Sequence, residues 1–309
     1  MSTPVSQTTR HVLMIRPWSF FSNPETAPSN AFQTTDHDAA VTPQAQAEFD
    51  AMVLQLEAQG VHVTVVQDTP EPVTPDAVFP NNWFSTHADG TVVTYPMLPT
   101  NRRTERRAEV VRSLTEKHGF DVARQVDLSG FEAQDAFLEG TGSLVLDRVN
   151  RCAYACYSPR THEKVLQAFC RELDFTAVGF DAAGADGTPV YHTNVLMCVG
   201  TRFVVVCLES IVASARERVE RALRSTHDVV PITMEQMNAF AGNMLELQDA
   251  DGQALIVMSQ TAHDGLDVEQ RAKLATYGRL VAVPIPTIET AGGSVRCMLA
   301  EIFLPRGGA

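Results

Sequence analysis

The sequence lacks the features of a membrane protein, an exported protein or a nucleic-acid-binding protein. Its 309 residues contain no apolar run near the ~18 residues that a membrane span needs. Residues 1–10 are polar and contain no apolar signal region, so we expect a cytoplasmic protein. Positive charge is in deficit, with 24 Lys and Arg against 37 Asp and Glu. Since nucleic-acid backbones are bound by clustered Lys and Arg, we expect neither nucleic acid nor a membrane as partner.

Cysteine is also scarce, with six residues and no close paired spacings. This pattern argues against a disulfide framework. Cys152 and Cys156 are four positions apart, but no nearby Cys or His supplies the further ligands of a zinc site. A phosphate-cradling glycine motif is missing as well. We therefore expect neither a metal nor an organic cofactor. The composition, with 44% hydrophobic and 20% charged residues, is typical of a globular protein.

Apolar residues at three- and four-residue spacing predict five helices, which begin about 50 to 60 residues apart. Short β-branched runs between them predict strands. The predicted helices are Gln44–Gln59, Arg102–His118, Thr161–Leu173, Ser210–Arg224 and Gly265–Tyr277, and the predicted strands include Val61–Val66, Thr91–Tyr95, Ser143–Leu146, Phe203–Leu208 and Leu255–Met258.

Five turn-like loops, each followed by a strand, repeat at a similar interval. Aligning Asn82, Gly142, Asn194, Asn243 and Cys297 gives steps of 60, 52, 49 and 54 residues. We interpret this as five units of about three strands and one helix, closed into one ring whose loops converge at the axis. The whole chain, 1–309, is then one α/β domain, with residues 1–10 as a flexible tail and Phe20–Pro43 as a lid.

Three of the loops carry residues suited to catalysis. Cys297 follows a glycine turn and Arg296, a setting that can expose a thiol and favour its thiolate. His192 begins a strand-like run and can transfer protons near neutral pH. Glu139 lies in an apolar, small-residue setting. The common alternative for any one cysteine is a buried, inert thiol. The alternative functions are a papain-like protease or an amidase, which also combine Cys with His, although the order in this chain is Glu, His, Cys.

These residues resemble motifs of the pentein-fold guanidine-modifying superfamily. More closely, the set is similar to the arginine-deiminase-related group of citrulline utilisation hydrolases, formerly named amidinotransferases. The resemblance implies a pentein α/β propeller of five pseudo-symmetric ββαβ-type units. The matching stretches are Gly292–Met298, His192–Asn194, Leu138–Gly142 and Phe79–Asn82, with further similarity at Arg16–Pro17, Asn30–Gln33, Asn101–Glu105, Tyr157–Thr161 and Met258–Gln260.

The resemblance also implies a mechanism without cofactor. The Cys297 thiolate attacks the planar ureido or guanidino carbon, ammonia leaves, and water releases the product. His192 protonates the leaving nitrogen and then activates water, while Glu139 accepts hydrogen bonds from the substrate. Arg102 and Arg160 match positions that bind the α-carboxylate of the amino acid, and Arg103 is an alternative to Arg102.

Four asparagines in the repeated loops indicate whether the substrate group is charged or neutral. Asn82 and Asn194 stand where arginine deiminase has aspartates, and Asn81 and Asn243 are further expected substrate contacts. Since a neutral ureido group needs no anionic partner, we expect hydrolysis of citrulline to ornithine, carbon dioxide and ammonia. The alternatives are an arginine deiminase, a dimethylarginine hydrolase and an N-succinylarginine-type dihydrolase. A non-catalytic pentein binding protein is a distant alternative, since such proteins lack the Cys, His and Glu set. The expected partner is a small-molecule amino-acid substrate, and the protein is expected to be a monomer or a homodimer.

Overall fold

The computed structural model describes residues 6–34 and 41–307, which form five three-stranded sheets. Each sheet has a middle strand between two edge strands. The middle strand pairs antiparallel with one edge strand, called the inner strand, and parallel with the other, called the outer strand. The strands are β1 (His11–Arg16), β2 (His62–Gln67), β3 (Phe84–Thr86), β4 (Thr91–Thr94), β5 (Arg124–Asp127), β6 (Val145–Asp147), β7 (Cys152–Tyr157), β8 (Thr176–Asp181), β9 (Met197–Val199), β10 (Phe203–Val206), β11 (Asp228–Pro231), β12 (Leu245–Gln248), β13 (Ala254–Ser259), β14 (Arg279–Val283) and β15 (Ala300–Glu301).

A helix connects the middle and outer strands of every sheet, as a parallel pair requires. The middle strands β1, β7, β10 and β13 are buried through most of their length, which is why they read as continuous apolar runs in the sequence. The helices are α1 (Thr42–Ala58), α2 (Ala108–Glu116), α3 (Gly140–Ser143), α4 (Glu163–Leu173), α5 (Thr193–Leu196), α6 (Ala213–Arg224), α7 (Met234–Asn238), α8 (Gln260–Gly265), α9 (Val268–Ala275), α10 (Pro286–Glu289) and α11 (Val295–Met298).

The five loops identified from the sequence each lead into the inner strand of a sheet. A 3₁₀ turn at Pro80–Asn82 precedes β3, and single helical turns α3, α5 and α11 precede β6, β9 and β15. Asn243 lies in the turn before β12. The predicted architecture of five repeated α/β units is therefore confirmed, with the loop residues at equivalent positions of each unit.

The two ends of the chain share one sheet. Strand β15 pairs antiparallel with β1, with Glu301 opposite Val12 and Ala300 opposite Leu13. Residues 6–10 fall in the segment that the sequence predicted as a flexible tail, but Gln7 is buried and donates from Nε2 to the carbonyl oxygens of Leu146 and Val199. Residues 1–5 of that segment lie outside the described residues.

One predicted helix is interrupted. Instead of a helix over Arg102–His118, a 3₁₀ turn spans Asn101–Glu105, and α2 starts only at Ala108. The break follows from Arg102 and Glu105, which are both buried and paired with each other instead of lying on an exposed helical face. In the part of the chain described, no helix is long and apolar enough to cross a membrane.

Candidate active site

The structure brings the predicted residues together around one small cleft. Its cavity of about 20 Å³ is lined by residues from the loops before several inner strands, from the segments after β4 and β7, and from the segment after β1. Five predicted site residues line it, namely Cys297, His192, Asn82, Arg102 and Arg160. The other four, Glu139, Asn81, Asn194 and Asn243, are buried beside these residues.

Cys297 lies in α11, the single turn that follows two glycines. Gly292 has φ of +79°, a left-handed conformation that a side chain disfavours. A Cβ there would also lie within 3 Å of the Asn30 amide, so the tight turn requires glycine. The Cys297 sulfur receives two amide contacts, from Asn194 Nδ2 at 3.4 Å and Asn243 Nδ2 at 3.3 Å.

His192 immediately precedes α5 and is oriented by Glu139. Its Nε2 lies 2.9 Å from Glu139 Oε2. The other carboxylate oxygen, Oε1, accepts from the backbone N–H of Leu98 at 3.0 Å. Glu139 therefore holds the imidazole ring in place and leaves the other ring nitrogen, Nδ1, as its basic atom.

Burial and charge set the protonation of this pair in opposite ways. Burial lowers the pKa of His192 to about 4 from its ordinary 6.5, outweighing the attraction of Glu139. Burial alone raises the pKa of Glu139, but the charge of Arg160 and the hydrogen bond from His192 bring it down to about 2. At neutral pH the pair therefore consists of a neutral imidazole and a carboxylate, and His192 can accept a proton.

Gly142 of α3 makes the close packing of this region possible. A Cβ at that position would lie 2.4 Å from Asn82 Nδ2 and 2.7 Å from His192 Nδ1. Both side chains approach the backbone more closely than any larger residue would allow. The loop glycine found by the sequence pattern thus has a packing role at the site.

The two predicted carboxylate-binding arginines are not equally available. Arg160 donates from Nη2 to the carbonyl of Thr26 and to Ser29 Oγ, and its Nη1 lies 3.5 Å from Glu139 Oε2. Arg102 binds Glu105 with two nitrogens, at 2.9 and 2.8 Å, and donates from Nη1 to Asn82.

Because Arg102 also donates from Nη2 to two backbone carbonyls, one N–H of Nη1 is left for a ligand. Arg103, the alternative to Arg102, instead donates to the carbonyls of Met97 and Leu98 outside the cleft lining. Of the two neighbours, Arg102 is therefore the one at the site.

Sequence reasoning missed Asp76, a buried carboxylate that lines the cleft. It accepts from Asn23 Nδ2 at 2.7 Å and lies 3.8 Å from Arg102 Nε. In sequence, Asp76 occurs in a Pro-containing loop three residues before Phe79, where an acid is an ordinary turn residue. Nothing local distinguishes it from a surface turn.

The segment after β1 covers the cleft. Thr26 and Asn30 contribute to the lining, and Asn30 Nδ2 donates to the carbonyl of Ala291 in the loop before Cys297. This segment forms the described part of the predicted lid Phe20–Pro43, whose residues 35–40 lie outside the described residues. Its contacts with Arg160 and Ala291 give it a position suited to a lid.

The remaining cysteines are free and lie away from the cleft lining. Burial raises the pKa of Cys156 and of Cys198 to about 12, which keeps both as thiols at neutral pH. Among residues 6–34 and 41–307, no group of three or more His, Cys, Asp or Glu is arranged to hold a metal ion.

Solved structures with the same fold come from guanidine-modifying enzymes. The N-terminal domain of ArgZ, described as an arginine dihydrolase of cyanobacteria and bound to its substrate, is 18% identical, with a TM-score of 0.74 over 95% of this chain and 99% of that chain. AgrE bound to L-arginine is 16% identical, with a TM-score of 0.74 over 94% of this chain and 40% of that chain. A dimethylarginine dimethylaminohydrolase (DDAH) from Pseudomonas aeruginosa in complex with citrulline is 13% identical, with a TM-score of 0.65 over 95% and 99%.

These similarities establish the pentein fold. The chain spans about 41% of full-length ArgZ, so the activity of the longer protein does not transfer as a whole. No curated protein sequence matches the chain. Residues 16–304, however, match the family described as N,N dimethylarginine dimethylhydrolase, eukaryotic. With that match across nearly its whole length, the chain belongs to this family of pentein hydrolases, which act on carbon–nitrogen bonds other than peptide bonds.

Proposed function

We propose that this protein hydrolyses the guanidino group of an arginine-derived amino acid through a covalent bond to Cys297. The observation that carries the proposal is the shared cleft, in which a cysteine and a neutral histidine face two arginines and an aspartate. A thiol supplies the nucleophile, and an imidazole with a lowered pKa can accept its proton.

The chemistry balances without any further reactant than water. Cys297 sulfur adds to the guanidino carbon to form a tetrahedral adduct, while the thiol proton passes to His192. The adduct expels one nitrogen as ammonia or an alkylamine, which takes the proton from His192. Water, deprotonated by His192, then adds to the same carbon. The carbon–sulfur bond breaks to release the ureido product, and the departing sulfur takes the proton back from His192.

Arg160 is our candidate for binding the α-carboxylate of the substrate. Its guanidinium is held by Ser29 Oγ and the Thr26 carbonyl, two oxygen acceptors in places that carboxylate oxygens could take. A cavity of about 20 Å³ is too small for an amino acid, so the segment that carries Thr26 and Ser29 must move when substrate enters. This movement is the role we propose for the lid.

Charge in the cleft favours a guanidino over a ureido group. Burial raises the pKa of Glu105 to about 7, so above that pH the Arg102–Glu105 pair has no net charge. With Asp76 at 3.8 Å from Arg102 and Glu139 paired with Arg160, three carboxylates then oppose two guanidinium groups, which leaves one excess negative charge for a cationic substrate. Asp76 was not part of the sequence argument for a neutral substrate, and it weakens that argument.

Citrulline is the second candidate, because Asn82 and Asn194 remain where arginine deiminase has aspartates. The deciding assay compares kcat/KM for arginine, N-methylated arginines, N-succinylarginine and citrulline, with identification of the products. We expect arginine or a methylated arginine to be preferred. Asp76→Asn should reduce the arginine-to-citrulline ratio of kcat/KM, by a factor of ten for every ~1.4 kcal/mol of lost pairing energy.

The matched control is Asp127→Asn, because Asp127 is exposed and bonds to Thr94 and Ser129 away from the cleft. It should leave the ratio unchanged. A wild-type enzyme that prefers citrulline would refute the charge argument and favour the citrulline reaction.

A further inference from the structure

Two asparagines point their amide nitrogens at the sulfur of Cys297. Asn194, in α5, and Asn243, before β12, are both buried, and their Nδ2 atoms lie 3.4 and 3.3 Å from Sγ. They belong to different sheets of the fold and converge on the one atom that carries the chemistry. The sequence suggested that both bind substrate, yet neither lines the substrate cleft.

The orientation of the Asn243 amide is fixed by its other partners. Its Oδ1 accepts from the backbone N–H of Arg296 at 3.0 Å, and its Nδ2 donates to the carbonyl of Asn194 at 3.0 Å. A flipped amide would place a donor against a donor and an oxygen against an oxygen. The NH₂ group of Asn243 must therefore face the sulfur.

Asn194 is oriented from its opposite side. Its Oδ1 is buried and has no partner among the described residues. The side chain borders a second cavity of about 20 Å³, whose lining includes Gln7, Arg148 and Glu301. A polar cavity of that volume is large enough for one water. A water that donates to Asn194 Oδ1 would satisfy this acceptor and keep Nδ2 directed at Cys297.

Two N–H donors suit a sulfur that accepts hydrogen bonds. Among the described residues, the one hydrogen-bond acceptor for an S–H proton is Asn243 Oδ1, at 3.8 Å, and that oxygen already accepts from Arg296. Hydrogen bonds to an ionised acceptor are stronger than those between neutral groups. The arrangement therefore stabilises negative charge on the sulfur as it develops, and because amides are neutral it does so without adding charge to the cleft.

We propose that Asn194 and Asn243 are positioning residues that donate to the Cys297 sulfur and stabilise the negative charge it gains when its proton passes to His192, with Asn194 oriented by a water in the cavity behind it. The inference rests on the proposed function, in which Cys297 is the nucleophile. Its first consequence, the reactivity of the sulfur, does not require a substrate.

The test measures the alkylation rate of Cys297 by iodoacetamide at pH 7.5 in the free protein, followed by peptide mass spectrometry. Asn194→Ala and Asn243→Ala should each slow alkylation about tenfold or more. Asn194→Asp has the same shape but puts a carboxylate near the sulfur, and it should slow alkylation at least as much as alanine does. A role in packing alone predicts a rate near wild type for this isosteric variant, and that result would overturn the proposal.

Ser85→Ala is the matched control, because Ser85 is also buried but bonds to His87 and Tyr95 away from the cleft lining. Its alkylation rate should stay within about twofold of wild type, and a loss as large as that of Asn194→Ala would contradict the specific role. In turnover, Asn243→Ala should lower kcat with little change in KM, whereas a substrate-binding residue would raise KM.

Two outcomes separate this inference from the proposed function. Slow alkylation of the variants without hydrolysis of any arginine derivative by the wild type would support the thiolate role and refute the reaction. Wild-type alkylation rates in the Asn194 and Asn243 variants of an active hydrolase would refute the thiolate role alone. In a high-resolution crystal structure, a water bonded to Asn194 Oδ1 is expected, and an amide with Oδ1 turned to the sulfur would overturn the orientation.

Discussion

Replacing Glu139 by Gln should damage both the stability and the activity of this protein, because one carboxylate serves two buried partners. Its Oε2 lies 2.9 Å from His192 Nε2 and 3.5 Å from Arg160 Nη1, and all three side chains are buried. Glutamine preserves the shape and can still accept a hydrogen bond from His192. It removes the negative charge, so Arg160 loses its only ion-pair partner among the described residues.

The expected size follows from the pKa of Glu139, which lies at about 2 in the folded protein against an ordinary value of 4.5. At ~1.4 kcal/mol per pKa unit, this difference corresponds to about 3 kcal/mol of stabilisation of the ionised form. Loss of one partner from a buried ion pair typically costs about 3 to 5 kcal/mol. We expect Glu139→Gln to lower the free energy of unfolding by about 3 kcal/mol, since Arg160 retains its oxygen acceptors on Thr26 and Ser29.

The pH dependence has a definite sign. A carboxylate whose folded pKa is lowered stabilises the fold above its unfolded pKa, and this contribution is lost as pH falls toward the folded value. The difference in stability between wild type and Glu139→Gln should therefore be constant from about pH 5 to 8 and should shrink below about pH 4.5. In catalysis, His192 loses the charge that stabilises its protonated form, so kcat should fall about 100-fold or more.

Urea denaturation at several pH values and steady-state kinetics measure these effects. Glu109→Gln is the control, because Glu109 is exposed and its pair with Arg107 should contribute less than about 1 kcal/mol. Equal unfolding midpoints for Glu139→Gln and wild type at pH 7 would refute the reasoning about buried charge. Full kcat in the variant would refute the role of Glu139 in supporting His192.

Four further predictions concern residues that line the cleft. Cys297→Ala should reduce turnover to background, and a trapped covalent adduct located by mass spectrometry on Cys198 would contradict this assignment. Arg160→Ala should raise KM by tenfold or more with a smaller change in kcat, and an unchanged KM would refute the assignment of Arg160 to the substrate carboxylate. Arg102→Ala should chiefly lower the free energy of unfolding, by about 3 to 5 kcal/mol, because it leaves Glu105 buried and unpaired. The pKa of His192 is lowered to about 4 in the folded protein, so as pH falls the unfolded chain binds a proton at this residue before the folded protein does. The free energy of unfolding should therefore decrease as pH drops from 6.5 to 4, and His192→Asn should flatten this part of the stability curve.

The repeated architecture was predictable because its signals are local. Turn residues before a short strand recur at similar intervals, and the five inner strands begin just after those turns. Four of the five predicted helices occur with bounds shifted by a few residues, since amphipathic spacing reports the face that packs on a sheet. The fifth failed at its N-terminal end, where Arg102 and Glu105 share a charge pattern with exposed helices but are buried against each other.

By itself, the sequence determined the number of units, the position of the Cys297 loop before its strand and the kinds of side chain available at the cleft. Tertiary structure alone decided how those side chains are paired. Arg102 is bound mainly by Glu105, Asp76 enters the cleft, and the amides of Asn194 and Asn243 meet at the sulfur of Cys297, although they are 103 and 54 positions away from it. The physical reason is that periodicity and turn chemistry act over a few residues, whereas the partner of a buried polar group depends on which distant segments the packing of the sheets brings within hydrogen-bond distance.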